Sequence, residues 1–219
     1  MFQARYTLCT LLLRDLLVSY SDVSTCDYAD ALDANQFMHA SIRALWPQTQ
    51  RLAGPAFTVV CAPGDHLMLH AAIYRAKPGD ILVVQGDEKL AMAGGNVCAI
   101  AQKRGIQGMI VDGFVRDIDE IAQMQFPVYA KGTFPKPAAK KALGKLASPI
   151  QCGDVQIENG DIIVADNDGI AVIPFNQRKA IYEVAMSRKQ KDAEMTLEQW
   201  QSQHLEKVET TLTKLGFTQ

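Results

Sequence analysis

Two short stretches bring together residue types that can do chemistry on anions. Gly94-Gly95-Asn96-Val97 stands where a strand gives way to a helix. Glycines there let a ligand come up against the backbone, and the free N–H groups of a helix start attract a carboxylate. The second stretch, Val111-Asp112-Gly113-Phe114-Val115-Arg116-Asp117-Ile118-Asp119-Glu120, follows an apolar run that reads as a buried strand. An arginine can clamp a carboxylate or keto oxygen, and neighbouring carboxylates can hold a hard divalent cation. Both have plainer explanations. The first is also a glycine-rich turn into a helix. The second is also a capping box, with Asp117 as N-cap and Glu120 three residues on, which leaves Arg116 without a role.

Other candidates carry less. His66 and His70 are four apart on one helix face, yet no Glu follows His66 and no third metal ligand is apparent, so ordinary helix histidines explain them better. Asp166-Asn167-Asp168-Gly169 starts like a calcium loop but lacks the later Glu, and a hairpin turn suits it. Nothing marks Lys89, Lys103 or Lys131 as a desolvated nucleophile. Cys98 opens a helix without a partner histidine and is read as packing.

The elements that must position these residues follow from periodicity and punctuation. Leu8, Leu11, Leu12, Leu16 and Val18 suggest one helix, Ser19 to Thr25 a loop, and Tyr28 to Leu32 a second short helix. From Gly54 the chain alternates: strand to Cys61, a helix after Asp65 that ends near Lys77 before Pro78, strand at Ile81 to Val84, helix Val97 to Lys103, strand Gly108 to Val111, helix Asp117 to Met124, strand Pro127 to Ala130. Such alternation implies βαβ units and a largely parallel sheet, whose ligands bind beyond the carboxyl ends of the strands. The two chemical stretches would then face one crevice. After Pro149 come short, antiparallel-looking strands around Val155, Ile162 to Ala165 and Ile170 to Ile173. From Asn176 the chain is charged and helical with Gly216 as a stop, and a tail of that length needs a surface such as a neighbouring subunit.

Bulk properties exclude several classes. The chain has 219 residues, 48% of them hydrophobic, enough for one α/β domain: N-terminal helices over 1–50, an α/β core over 51–174 and a helical tail over 175–219. A net charge of -2 leaves no basic stripe for phosphates, so direct nucleic-acid binding is not expected. The five cysteines are scattered and odd in number, as expected for reduced thiols in the cytoplasm. No apolar run approaches the ~20 residues of a membrane span, and no signal-peptide cleavage site follows the first helix.

The segments RLAGPAFTVVCAP at 51 to 63, GD at 64 and 65, PGD at 78 to 80, GG at 94 and 95, VDGFVRD at 111 to 117, PV at 127 and 128 and ADNDGIAVIP at 165 to 174 together resemble RraA-like proteins. The spacing of Gly95, twenty residues, Arg116-Asp117, two residues, Glu120 resembles the pattern of members with divalent-metal-dependent 2-oxo acid chemistry. The resemblance implies a swivelling β/β/α-type sandwich and assembly as a homotrimer or a hexamer. It also implies a class II lyase that uses Mg²⁺ or Mn²⁺ to release pyruvate from 4-hydroxy-4-methyl-2-oxoglutarate-type substrates or to decarboxylate oxaloacetate.

By the same resemblance Asp117 holds the metal, Arg116 contacts the pyruvyl oxygens, and the backbone after Gly94 and Gly95, at Asn96 and Val97, takes the substrate carboxylate. Well-characterised aldolases of the group carry an Asp where this chain has Gly95, and the resemblance to the glycine variant assigns Glu120 to the metal's water shell instead. A neighbouring subunit's C-terminal helix contributes an acid in the group, for which Glu194 or Asp192 stand at matching places. The alternative is a non-catalytic regulator that binds a ribonuclease. A quinone methyltransferase label finds no glycine-rich adenosylmethionine loop to support it.

Overall fold

The computed structural model describes residues 19–217. The expected helix from Leu8 to Val18 lies outside them. Ser19 to Val23 contains a single 3₁₀ turn, and the next helix, α1, is Thr25–Tyr28 and not Tyr28 to Leu32. The reason is local: the Ser24 hydroxyl accepts from Asp27 N–H at 3.1 Å while the Asp27 carboxylate accepts from Ser24 N–H at 3.1 Å, a capping box that fixes the start earlier. The remainder up to residue 50 holds another 3₁₀ turn and the two-residue strand β1 (Arg43–Ala44), so the described part of this segment is mostly irregular.

The core alternates as expected, in the order β2 (Leu52–Val60), α2 (Leu67–Ile73), β3 (Ile81–Gln85), β4 (Ala91–Ala93), α3 (Gly95–Lys103), β5 (Gly108–Val115), α4 (Ile118–Gln123) and β6 (Val128–Thr133). Strands β2, β3, β5 and β6 pair in parallel in sequence order. Successive crossovers of one hand therefore lay all three helices on the same face. Leu69, Ala72 and Ile73 of α2, Cys98 and Ala101 of α3 and Ile121 of α4 pack there on Val59, Leu82, Val84, Met109 and Val111. Helix α2 ends four residues before the expected Lys77. Its last hydrogen bond, Ala76 N–H to Ala72 at 2.8 Å, closes a turn that leads to Pro78 and to Gly79 at φ +94°.

Short strands follow: β7 (Lys145–Leu146), β8 (Ile150–Cys152), β9 (Val155–Ile157), β10 (Ile162–Ala165) and β11 (Ile170–Ile173), antiparallel wherever they pair. The β8–β9 ribbon covers the sheet's other face, where Ile150, Cys152, Val155 and Ile157 meet Ile81, Val83, Ile110 and Tyr129. Period-2 alternation thus feeds two cores, Val83 facing the ribbon while Leu82 and Val84 face the helices. Ribbon, sheet and helices make the β/β/α layering. Strand β2 switches partner midway, antiparallel to β10 through Pro55 and parallel to β3 from Ala56, and so joins the two halves of a curled sheet ordered β1-β6-β5-β3-β2-β10-β11.

Two helices, α5 (Arg178–Glu194) and α6 (Leu197–Lys214), complete the described chain. They are separated at Met195 by a new capping box, Thr196 with Gln199, and α6 ends before Gly216 at φ +74°. Ile181 and Ala185 of α5 pack on the β10–β11 edge, whereas α6 buries no residue.

Candidate active site

Strand β4, too short and alanine-rich to be read from propensity, sets the site's geometry. It pairs in parallel with the end of β5 beyond a bulge, and Arg116 N–H donates to the Ala93 carbonyl at 3.0 Å. That pairing draws the start of α3 against the end of β5, and the two chemical stretches meet. Gly95 N–H donates to Asp117 Oδ2 at 3.1 Å, and Arg116 Nε lies 3.5 Å from the same oxygen.

Both glycines answer to crowding. A Cβ on Gly94 would lie 2.6 Å from Asp117 Oδ2, and one on Gly95 would lie 2.1 Å from Glu120 Oε2. The two carboxylates converge on this turn, and a side chain at either glycine would have to displace one of them. Asp117 caps nothing with its side chain: it sits in the left-handed region, φ 59° and ψ 42°. The capping-box explanation therefore fails, because that backbone turns the carboxylate across to α3 and away from its own helix. Holding a non-glycine residue there costs about 1–2 kcal/mol.

A cavity of about 670 Å³ opens over this junction, lined by Gly94, Asn96, Val97, Arg116 and Asp117 among the expected residues. Gly95 and Glu120 stand at its edge and outside the lining. Asn96 and Val97 lie in the first turn of α3, whose N–H groups have no carbonyl within the helix to receive them. Asp192 and Glu194 do not line the cavity and are engaged on α5, with Arg188 at 2.8 Å and with Gln190 at 2.9 Å.

The opposite wall went unread in the sequence. It is made by His66 and His70 and by the segment carrying Pro137, Ala138, Lys140 and Lys141. Asp65 pins this wall. Its carboxylate accepts from Leu67 N–H at 2.8 Å, from Ala142 N–H at 3.0 Å and from Lys141 N–H. Burial alone would raise the Asp65 pKa, but those backbone donors hold it below the ordinary carboxylate value. The signal was present as Gly64-Asp65 before a helix, and what it lacked was the partner segment, 76 and 77 residues on.

The two histidines stack edge to face with ring centroids 4.5 Å apart, which is no shared-metal arrangement. Among the described residues no three His, Cys, Asp or Glu side chains form a metal-holding group. Burial pushes the Cys98 thiol up to about 12, helped by the charge of Asp117, so it is packing as read. Lys131 pairs with Glu88 and with Asp112 at 2.6 Å; burial lowers its pKa, but these acids raise it above the ordinary value and keep the amine charged. The Asp166 to Gly169 segment is a hairpin turn closed by Asp166 N–H to Gly169 at 3.0 Å.

The RraA-like family (Aldolase/RraA) matches residues 25–172. A Halalkalibacterium halodurans protein provisionally named a 4-hydroxy-4-methyl-2-oxoglutarate aldolase is 37% identical over 182 residues, 82% of this chain and 86% of that one. Streptomyces coelicolor RraAS2, described as an unusual member of the RNase ES inhibitor RraA family, is 27% identical with a TM-score of 0.71, over 79% of this chain and 92% of that chain. A Geobacillus kaustophilus structure titled a 2-dimethylmenaquinone methyltransferase is 30% identical with a TM-score of 0.63, over 69% and 94%. Three names give three activities, so the choice among them rests on the cavity. Among the described residues no helix is long and apolar enough to cross a membrane.

Proposed function

Given that this chain belongs to the RraA-like family, we propose that it is a divalent-metal-dependent lyase acting on a small 2-oxo acid, with the cavity over Gly94 and Arg116 as its active site. One observation carries this reading: an arginine, an open helix N-terminus and the Asp117 carboxylate meet at a single cavity, with Glu120 crowded against the same glycine turn just outside its lining. Asn96 and Val97 N–H groups bind the substrate carboxylate, as unpaired donors at a helix start do for anions. Arg116 donates to the 2-oxo oxygen and stabilises the negative charge that gathers there when the bond to C4 breaks. Lys140 and Lys141 give the far wall a positive balance suited to a substrate with a second carboxylate.

Asp117 and Glu120 fit Mg²⁺ or Mn²⁺, since both offer hard oxygen donors crowded over the Gly94-Gly95 turn. Two ligands suit an ion that keeps several waters. Such an ion, when bound, supplies Lewis acidity at the 2-oxo oxygen worth several kcal/mol. The same electron sink serves retro-aldol cleavage of a 4-hydroxy-4-methyl-2-oxoglutarate-type substrate and decarboxylation of oxaloacetate.

Helix α6 and its C-cap leave Leu197, Trp200, Leu205 and Leu215 exposed, which supports a homo-oligomer, a trimer or a hexamer, in which a neighbour covers them. In that arrangement Glu194 or Asp192 reaches the adjoining site. The regulator reading, a surface that binds a ribonuclease, is favoured by the likeness to structures named as inhibitors, that from Streptomyces coelicolor among them.

The test is pyruvate release from both substrates by purified protein with and without Mg²⁺. Metal-dependent turnover is expected, and it vanishes in Asp117→Ala. No turnover by folded, metal-supplied protein would sink the lyase and favour the regulator.

A further inference from the structure

Retro-aldol cleavage needs a base for the C4 hydroxyl, whereas decarboxylation of oxaloacetate has no such proton to remove. The arginine, the lysines and the helix N–H groups at the cavity are donors only. Of the two carboxylates assigned to the metal, Asp117 Oδ2 already takes Gly95 N–H and faces Arg116, and Glu120 lies outside the cavity lining. Asn96 and Tyr74 also line the cavity, but an amide and a phenol are not bases near neutral pH.

His66 differs from all of these. It is 6% exposed and lines the cavity, and its Nδ1 lies 2.9 Å from the Met92 carbonyl oxygen. A carbonyl only accepts, so Nδ1 carries the proton and the lone pair stays on Nε2. Among the described residues Nε2 has no hydrogen-bond partner, and unlike His70 Nε2 it is not sealed off as a buried atom. The ring is fixed from two sides, Met92 holding Nδ1 and the His70 ring abutting it edge-on, while the backbone N–H of His66 donates to Ala139 at 2.8 Å and anchors the residue. A nearly buried imidazole that lines the cavity, with Nδ1 bonded and its single acceptor atom unpaired, is an oriented base.

Resting on the lyase reading above, we propose that His66 is the general base of aldol cleavage, taking the C4 hydroxyl proton on Nε2. The O–H electron pair becomes the C4=O π bond, the C3–C4 bond breaks, and its electrons pass to C3 and into the 2-oxo group as an enolate. The imidazolium then returns the proton to C3, giving pyruvate and the second carbonyl product with His66 neutral again.

The surroundings keep the imidazole ready. Burial first, then the charges of Lys140 and Arg116, press its pKa below the ordinary 6.5, against the Met92 carbonyl and Asp65, which pull it up. His70, on the same helix, is itself pushed down to about 4 and adds no charge at neutral pH. The base is therefore present at pH 7, and cleavage falls as pH drops through a value under 6.5.

The decisive variant is His66→Asn, whose amide nitrogen can keep the Met92 hydrogen bond while Nε2 is deleted. Expected is a loss of aldol cleavage of about 100-fold or more, disappearance of the acid limb of its pH profile, and a much smaller loss of oxaloacetate decarboxylation, so that the ratio of cleavage to decarboxylation falls by about 30-fold or more. Equal loss of both reactions makes His66 structural, and loss of neither makes it idle; either result overturns the proposal. On the unmutated protein, long-range ¹H–¹⁵N spectra assigned with the variant should show the Nδ1–H tautomer of His66, and the Nε2–H tautomer also overturns it. An unmutated protein that decarboxylates but never cleaves a 4-hydroxy-2-oxo acid removes the base's task while leaving the lyase. One that does neither removes the lyase as well, so the two failures are told apart before any mutation.

Discussion

Asp117 and Asp166 both lie just past a strand, both have an arginine within ion-pairing distance and both stand near a glycine, yet their carboxylates are used differently. Asp166 is 9% exposed and accepts from Thr25 N–H at 3.0 Å, Thr25 Oγ1 at 2.6 Å and Asp168 N–H at 3.1 Å, with Arg51 3.3 Å away. Its bonding capacity is filled by its own chain, and it ties the β10–β11 hairpin to α1. Asp117 has a side chain 34% exposed, a left-handed backbone and one backbone donor. Bonding capacity left over on a strained residue at a cavity distinguishes a site from a strut.

The largest effect should separate these two roles outright. Asp117→Ala is expected to cut pyruvate release by roughly 10³-fold or more, about 4 kcal/mol of transition-state stabilisation, with little change in thermal unfolding. Asp166→Ala should do the reverse. It strands Arg51 and the Thr25 donors and costs about 2–4 kcal/mol of stability, while turnover per folded molecule is kept. If both variants lose activity in proportion to stability, the contrast is false.

Acid should loosen the cavity side through His70. Burial, then His66 and Lys140, hold its pKa at about 4, and its Nε2 is buried without a partner. The unfolded chain takes up this proton near 6.5 and the folded chain only near 4. The contribution is therefore complete above pH 6.5 and is lost as pH falls toward 4, a matter of 1–3 kcal/mol in order of magnitude. Urea unfolding at pH 7 and pH 5 measures it, and His70→Leu should flatten the difference.

Glycines sharpen the comparison further. A Cβ on Gly113 would meet the Asp87 backbone carbonyl at 2.4 Å, and backbone cannot step aside, so Gly113→Ala should cost about 1–3 kcal/mol of stability. On Gly95 the obstacle is the far end of Glu120, which can swing away. Gly95→Ala should leave the unfolding midpoint nearly unchanged and lower metal-dependent turnover about 10-fold by displacing that carboxylate. A fall in stability equal to that of Gly113→Ala would mean that Glu120 is held there for packing.

What the sequence disclosed follows range of interaction. The alternation from β2 to β6, the hairpin at Asp166 and the stop at Gly216 depend on neighbours in the chain, and turn residues and apolar runs placed them, apart from the end of α2, which stops four residues short of Lys77. Helix α1 moved because a Ser24–Asp27 capping box outweighed apolar spacing, a local signal that was present. Gly94, Asn96, Val97, Arg116 and Asp117 came together because the two stretches follow β4 and β5, which pair in parallel. The wall of His66, Lys140 and Lys141 stayed hidden, since it depends on Asp65 binding backbone 76 and 77 residues away. Strand β4 stayed hidden because three residues, Ala-Met-Ala, earn their pairing from β5 and from no propensity of their own.

The smallest effect tests strain itself. If Asp117 holds φ 59° for function, glycine at that position should relieve the backbone at the expense of the carboxylate. Asp117→Gly is expected to hold or raise stability relative to Asp117→Ala by up to about 1 kcal/mol, read as a rise in thermal midpoint, with turnover as low as in the alanine variant. No comparable gain should come from glycine at Asp166, whose backbone is not left-handed and whose carboxylate is fully bonded. A midpoint for Asp117→Gly below that of Asp117→Ala would show that the left-handed turn is held by its surroundings without strain, and the cavity's carboxylate would then owe its direction to packing around α4 and not to a backbone kept in place for chemistry.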